Sequence, residues 1–138
     1  MLFTKRQLFS AELSKLPSML LWIRQQSMQI GFTNSEWKKI ELVSEEALVN
    51  IILHAYQSKG GQVELEVHGF ADSIEIVIKD QGKDFNPFLG EKPLDPEAPL
   101  EKRDVGGLGV FLIRQYMDEV SYVRKGSSNI LTLKKRKR

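Results

Sequence analysis

The chain has 138 residues, 41% hydrophobic and 28% charged, with two His and no Cys. This is the composition of one globular domain, and it excludes thiol catalysis, iron–sulfur ligation and cysteine-based zinc sites. The formal charge of +2 sits wholly in the final five residues, Lys134 to Arg138; without them 15 of the 20 Lys and Arg remain against 18 Asp and Glu, a net −3, which argues against direct nucleic-acid binding by the fold.

In chain order, residues 3–9 (FTKRQLF) read as a short strand. Ser14 is placed to cap a helix that tolerates Pro17 in its first turn and runs to Ile30. Leu16, Leu20, Ile23, Ser27 and Ile30 form its apolar stripe, and Gly31 stands where a left-handed C-terminal residue is needed. Thr33 and Glu36 fit a capping box for a second helix reaching Tyr56, which Gly60-Gly61 ends. Gln62–Gly69 and Ser73–Lys79 alternate or are β-branched and read as a hairpin. Between Gln81 and Val105 lie four of the five prolines and no sustained apolar period, the profile of a long functional or disordered loop. Residues 107–117 read as a third helix, and 119–124 with 129–133 as a last strand pair. The expected class is α+β, an antiparallel-rich sheet covered by helices. The five basic residues after it read as a solvated end. No run approaches the ~18 apolar residues of a membrane span, and the N-terminus lacks a signal-peptide pattern, so the chain is expected to be cytoplasmic and to have no membrane contact.

Three polar clusters interrupt this pattern. Glu46, Asn50 and His54 recur at four-residue steps along one face of the second helix; a carboxylate one turn from a carboxamide can serve a base and a Mg²⁺ ligand, or be a solvated charge beside a core amide. Asp80-Gln81-Gly82 closes an apolar strand, where Asp can accept from an amino group such as that of adenine, or simply make a turn. Gly106-Gly107-Leu108-Gly109 opens the third helix, where free N–H groups and the helix dipole suit phosphate; a flexible connection is the plain alternative. No Walker motif occurs.

Taken in order, Glu-x-x-x-Asn, Asp-x-Gly, a long loop and Gly-x-Gly resemble the gyrase, chaperone, histidine-kinase and MutL (GHKL) ATP-binding superfamily. The wording SEEALVNIILHAY, DQGKDF and GGLGVFLIRQYMDEV is similar to the anti-sigma-factor serine kinases of the RsbW/SpoIIAB type. The resemblance implies one histidine-kinase-like ATP-binding domain over residues 1–138. Its fold would be a two-layer sandwich of the Bergerat type, with a mixed, mostly antiparallel sheet covered on one face by about three helices. It implies ATP and Mg²⁺ as cofactors, Glu46 as general base, Asn50 as the Mg²⁺ and ATP ligand, Asp80 with Gly82 at adenine, and Gly106, Gly107, Leu108 and Gly109 at the phosphates. Residues 81–105 match the ATP lid, with Arg103 near its arginine. His54 falls in the family's packing position. Two departures stand out: Lys83-Asp84-Phe85 replaces the end of the first glycine motif, and Asn129 stands where relatives place a Thr. The implied partners are an anti-anti-sigma protein of the STAS type, carrying the acceptor serine, and a sigma factor held inactive; a homodimer is common among relatives. The alternatives are a non-catalytic ATP-dependent binding module and a detached sensor-kinase catalytic domain. The last is disfavoured because His54 lies inside the ATP motif and His68 in a strand.

Overall fold

The structure is a computed structural model that describes residues 1–89 and 105–138. Its elements are β1 (Phe3–Ser10), a 3₁₀ turn (Leu13–Lys15), α1 (Leu16–Ile30), α2 (Asn34–Asn50) running into a π turn (Ile51–Ala55), β2 (Gln62–Gly69), β3 (Ser73–Asp80), α3 (Val105–Tyr116), β4 (Glu119–Lys125) and β5 (Ser128–Arg136). The strands form one sheet in the order β1-β2-β3-β5-β4. Every neighbouring pair is antiparallel, so the ladder described is wholly antiparallel rather than mixed.

Strand alternation sorts the two faces. Val63, Leu65, Val67, Ile74, Ile76, Ile78, Leu131 and Leu133 are buried on one side, and register sets Leu65 beside Ile78 and Ile76 beside Leu133. The helices cover this side: α1 packs on β2 and β3, α3 on β4, and α2 against both α1 and α3. The opposite face carries Glu64, His68, Glu75, Lys79 and Thr132, as a half-solvated antiparallel sheet requires. At its centre the buried Glu66 accepts from Arg6 Nε at 2.8 Å, with Lys79 Nζ at 3.4 Å. Burial alone would raise the Glu66 carboxyl; those cations outweigh it and hold it below the usual range.

Several local expectations hold. Gly31 adopts φ 91° after α1, and Thr33 and Glu36 form the reciprocal capping box. Others change. Ser14 does not cap α1, because a 3₁₀ turn precedes that helix and Lys15 takes the capping position without a side-chain bond. The buried stripe of α1 is Met19, Ile23, Gln26, Ser27 and Ile30, with Leu16 and Leu20 at its margin.

The basic end is not a solvated tail. Lys134, Lys135 and Arg136 complete β5. Lys135 is 4% exposed and donates to Tyr116 O at the end of α3 (3.1 Å), and Lys137 Nζ donates to Ile30 O at the end of α1 (3.0 Å). The Arg138 N–H reaches Glu36 Oε2 at the start of α2 (3.0 Å), and its guanidinium pairs with Asp118. Last-turn carbonyls lack intrahelical partners and sit at the negative pole of the helix, so they attract ammonium groups.

Candidate functional site

Asp80 ends β3 on the helix-covered face and is 3% exposed. Register sets it opposite Asn129, the second residue of β5. A narrow pocket opens beside this pair. Ala47, Ile51, Ile113 and Leu131 supply apolar walls, while Asn50, Asp80, Tyr122 and Asn129 supply polar groups; Phe85 and Pro87 close one side. Apolar walls with a few convergent polar groups suit a flat heterocycle.

Asp80 Oδ1 accepts from the Gly82 N–H (2.9 Å) and from Asn129 Nδ2 (2.8 Å), leaving Oδ2 without a donor among the described residues. Burial raises the Asp80 carboxyl above its ordinary range, and the bonds from Asn129 and Gly82, with Arg124 nearby, offset only part of that. Gly82 is required sterically, since a Cβ there would stand 2.6 Å from Ala55 O. Close approach lets the Lys83 N–H bond Ala55 O (2.8 Å).

Asn50, the last residue of α2, lines the same pocket. Glu46, one turn earlier, is half-buried and points at α3: a Cβ at Gly109 would come within 2.6 Å of Glu46 Oε2. Burial, then the neighbouring Glu45, push the Glu46 carboxyl upward. The structure therefore brings together Glu46 and Gly109, and separately Asn50 and Asp80 around one pocket. Helix α3 begins at Val105, two residues before its expected start, so Gly106, Gly107, Leu108 and Gly109 all lie in its opening turns. The N–H groups of Val105, Gly106 and Gly107, which open it, lack intrahelical acceptors by geometry. Arg103 and residues 90–104 of the expected lid lie outside the described residues.

His54 falls off the face it was expected to share with Glu46 and Asn50. The i→i+5 bond from Tyr56 N to Ile51 O widens the turn after Asn50, and π turns of this kind cluster at functional sites. His54 is left exposed and stacked on Phe85, with centroids 5.2 Å apart and planes 22° apart. Tyr56 ties the same turn to the loop: its hydroxyl donates to Gln62 O (2.6 Å) and accepts from the Gln81 N–H (2.8 Å).

Sequence reasoning missed Tyr122, Arg124 and the reach of Asn129. The alternation of EVSYVRK puts Tyr122 and Arg124 on the inner face, the one signal that could have found them. Burial and the nearby Asp84 raise the Tyr122 hydroxyl to about 12.

An antiparallel sheet with three helices on one face, and a pocket between helix and sheet, is the GHKL-type ATPase sandwich. Residues 9–135 match the histidine kinase-like ATPase domain, and the chain belongs to that family. It is similar to proteins named serine-protein kinase RsbW: that of Halalkalibacterium halodurans is 34% identical over 112 residues, covering 78% of this chain and 67% of the relative. Those of Bacillus licheniformis and Bacillus subtilis are 32% and 31% identical over 96 residues, covering 67% of this chain and 60% of each relative. Among the described residues no helix is long and apolar enough to cross a membrane.

Proposed function

We propose that this domain, residues 1–138, binds Mg-ATP in the pocket beside Asp80 and phosphorylates a serine of an anti-anti-sigma protein of the STAS type, while holding a sigma factor inactive when that antagonist is absent. The observation that carries the reading is convergence: Asn50 and Asp80, far apart in the chain, line one pocket, and Glu46 meets the opening turns of α3 at Gly109. The similarity to serine-protein kinases named RsbW supports the choice of serine.

Phosphoryl transfer asks a protein for positioning and charge neutralisation more than for covalent chemistry. Asp80 Oδ2 accepts from the adenine amino group, Phe85 and Ile51 flank the ring, and the N–H groups opening α3 bind phosphate oxygens. Mg²⁺, when bound, neutralises phosphate charge. The donor present fits it: Asn50 lines the pocket and would offer one neutral oxygen to an ion held mainly by phosphates and water. The serine oxygen attacks the γ-phosphorus, the bond to the β-bridging oxygen breaks with that oxygen keeping the electron pair, and Glu46 takes the serine proton. The raised Glu46 carboxyl is a stronger base than an ordinary surface glutamate.

The test is transfer of labelled phosphate from Mg-ATP to a purified STAS-domain partner. Glu46→Gln is expected to keep ATP affinity within about threefold and to lose at least a hundredfold in transfer. Tight ATP binding with no transfer to any STAS partner would instead identify a non-catalytic ATP-dependent module.

A further inference from the structure

Asn129 stands in the last strand and uses every hydrogen-bonding group of its side chain. Its Nδ2 donates to Asp80 Oδ1 and to Lys83 O, both at 2.8 Å. Its Oδ1 lies 2.5 Å from the Tyr122 hydroxyl, and accepts from Arg124 Nη1 (3.2 Å) and the Phe85 N–H (3.4 Å). Arg124 Nη1 also donates to Gly82 O (2.8 Å), and the Tyr122 hydroxyl has a second acceptor in Asp84 Oδ1 (2.9 Å). One carboxamide, 3% exposed, thus joins the end of β3, the loop 82–85 and β4.

An amide can present either end to a neighbour, and the two ends would have opposite effects on Asp80. Arg124 Nη1 and the Phe85 N–H can only donate to Asn129 Oδ1, Lys83 O can only accept from Nδ2, and the single Tyr122 hydrogen is shared between Oδ1 and Asp84, so the oxygen is set toward β4 and the NH₂ toward Asp80. With Oδ1 engaged by Asn129 and Gly82, Oδ2 is the acceptor that Asp80 can offer a ligand in the pocket it lines. A purine bearing an exocyclic amino group satisfies it; one bearing an oxo group there sets two acceptors against each other. We propose that Asn129, oriented by Tyr122 and Arg124, is the positioning residue that makes this pocket select adenine over guanine nucleotides, through its hold on Asp80 and on the Phe85 wall. This rests on the reading of the pocket as a nucleotide site.

The test is calorimetric titration of the full chain with Mg-ATP and Mg-GTP. Wild type is expected to prefer ATP by at least tenfold. Asn129→Ala is expected to lose about tenfold in ATP affinity, the size of one lost buried hydrogen bond, with the ATP-to-GTP ratio falling toward one. Tyr122→Phe keeps the ring and shifts the ratio the same way by a smaller factor, so the assignment stays testable if Asn129→Ala fails to fold. Asn129→Asp adds a readout that a structural role would not move. It puts two carboxylates together among Lys83, Asp84, Tyr122 and Arg124, so one of them takes up a proton well above its ordinary range. That shared proton restores the bond to Asp80, and the ATP-affinity deficit of Asn129→Asp should shrink from pH 8 to pH 5.5. An unchanged ATP-to-GTP ratio in Asn129→Ala and Tyr122→Phe, or a pH-independent deficit in Asn129→Asp, overturns the assignment while leaving the nucleotide pocket in place. Wild type binding neither nucleotide overturns the pocket reading and the assignment with it.

Discussion

Asp80 and Glu46 are carboxylates kept where ionisation is unfavourable, a cost that the proposed nucleotide site would explain. Their folded-state carboxyls are raised, Asp80 by burial and Glu46 by burial and then Glu45. A raised group stabilises the fold fully below its unfolded pKa, and that contribution is lost as pH rises through the folded value. Asp80→Asn keeps an oxygen for Asn129 and Gly82 but removes the charge. It should raise the thermal midpoint at pH 7 relative to wild type, show no such gain at pH 3.5, and lose at least tenfold in ATP affinity; unfolding curves at both pH values check the sign. Two glycines separate packing from chemistry. At Gly109 an added Cβ meets the movable end of Glu46, whereas at Gly82 it meets the Ala55 backbone. Gly109→Ala should therefore keep or slightly raise stability, since alanine favours helix by ~1 kcal/mol, while phosphoryl transfer falls at least tenfold. Gly82→Ala should destabilise by roughly 1–3 kcal/mol, as urea unfolding would report.

Among the elements, those bounded by short-range chemistry were legible in the chain and those bounded by partners were not. The capping box at Thr33 and Glu36 and the left-handed Gly31 are local devices, and both appear where the sequence places them. Thr33→Ala is expected to cost ~1 kcal/mol, visible as a lower urea midpoint. The 3₁₀ entry to α1 and the π turn after Asn50 have no residue signature of comparable strength. The π turn matters most, because it moves His54 from the Glu46–Asn50 face to the Phe85 ring. The basic end of the chain was misread for the same reason: Lys135 and Lys137 look solvated until the ends of α3 and α1 arrive beside them. Removing residues 137 and 138 should lower stability by ~1 kcal/mol, where a free tail would change nothing.

For the molecule as a whole, the pocket exists because the order β1-β2-β3-β5-β4 sets the start of β5 against the end of β3 and lays α2 and α3 over the junction. A ligand that binds only this assembled state stabilises all of it, by ~2.7 kcal/mol at a hundred times its dissociation constant. Mg-ATP should raise the unfolding midpoint of wild type, and Asp80→Asn should abolish most of that rise at the same nucleotide concentration. The sequence by itself determined the α+β class, the hairpin of β2 and β3, the capping box of α2, the Gly31 end of α1 and the residue types of the candidate site, because periodicity, caps and glycines act within a few residues. Only the tertiary structure decided that Glu46 rests on Gly109, that Asn129 holds Asp80 with help from Tyr122 and Arg124, and that the terminal cations close helices. These contacts join residues distant in the chain, and strand register and helix packing choose the partners.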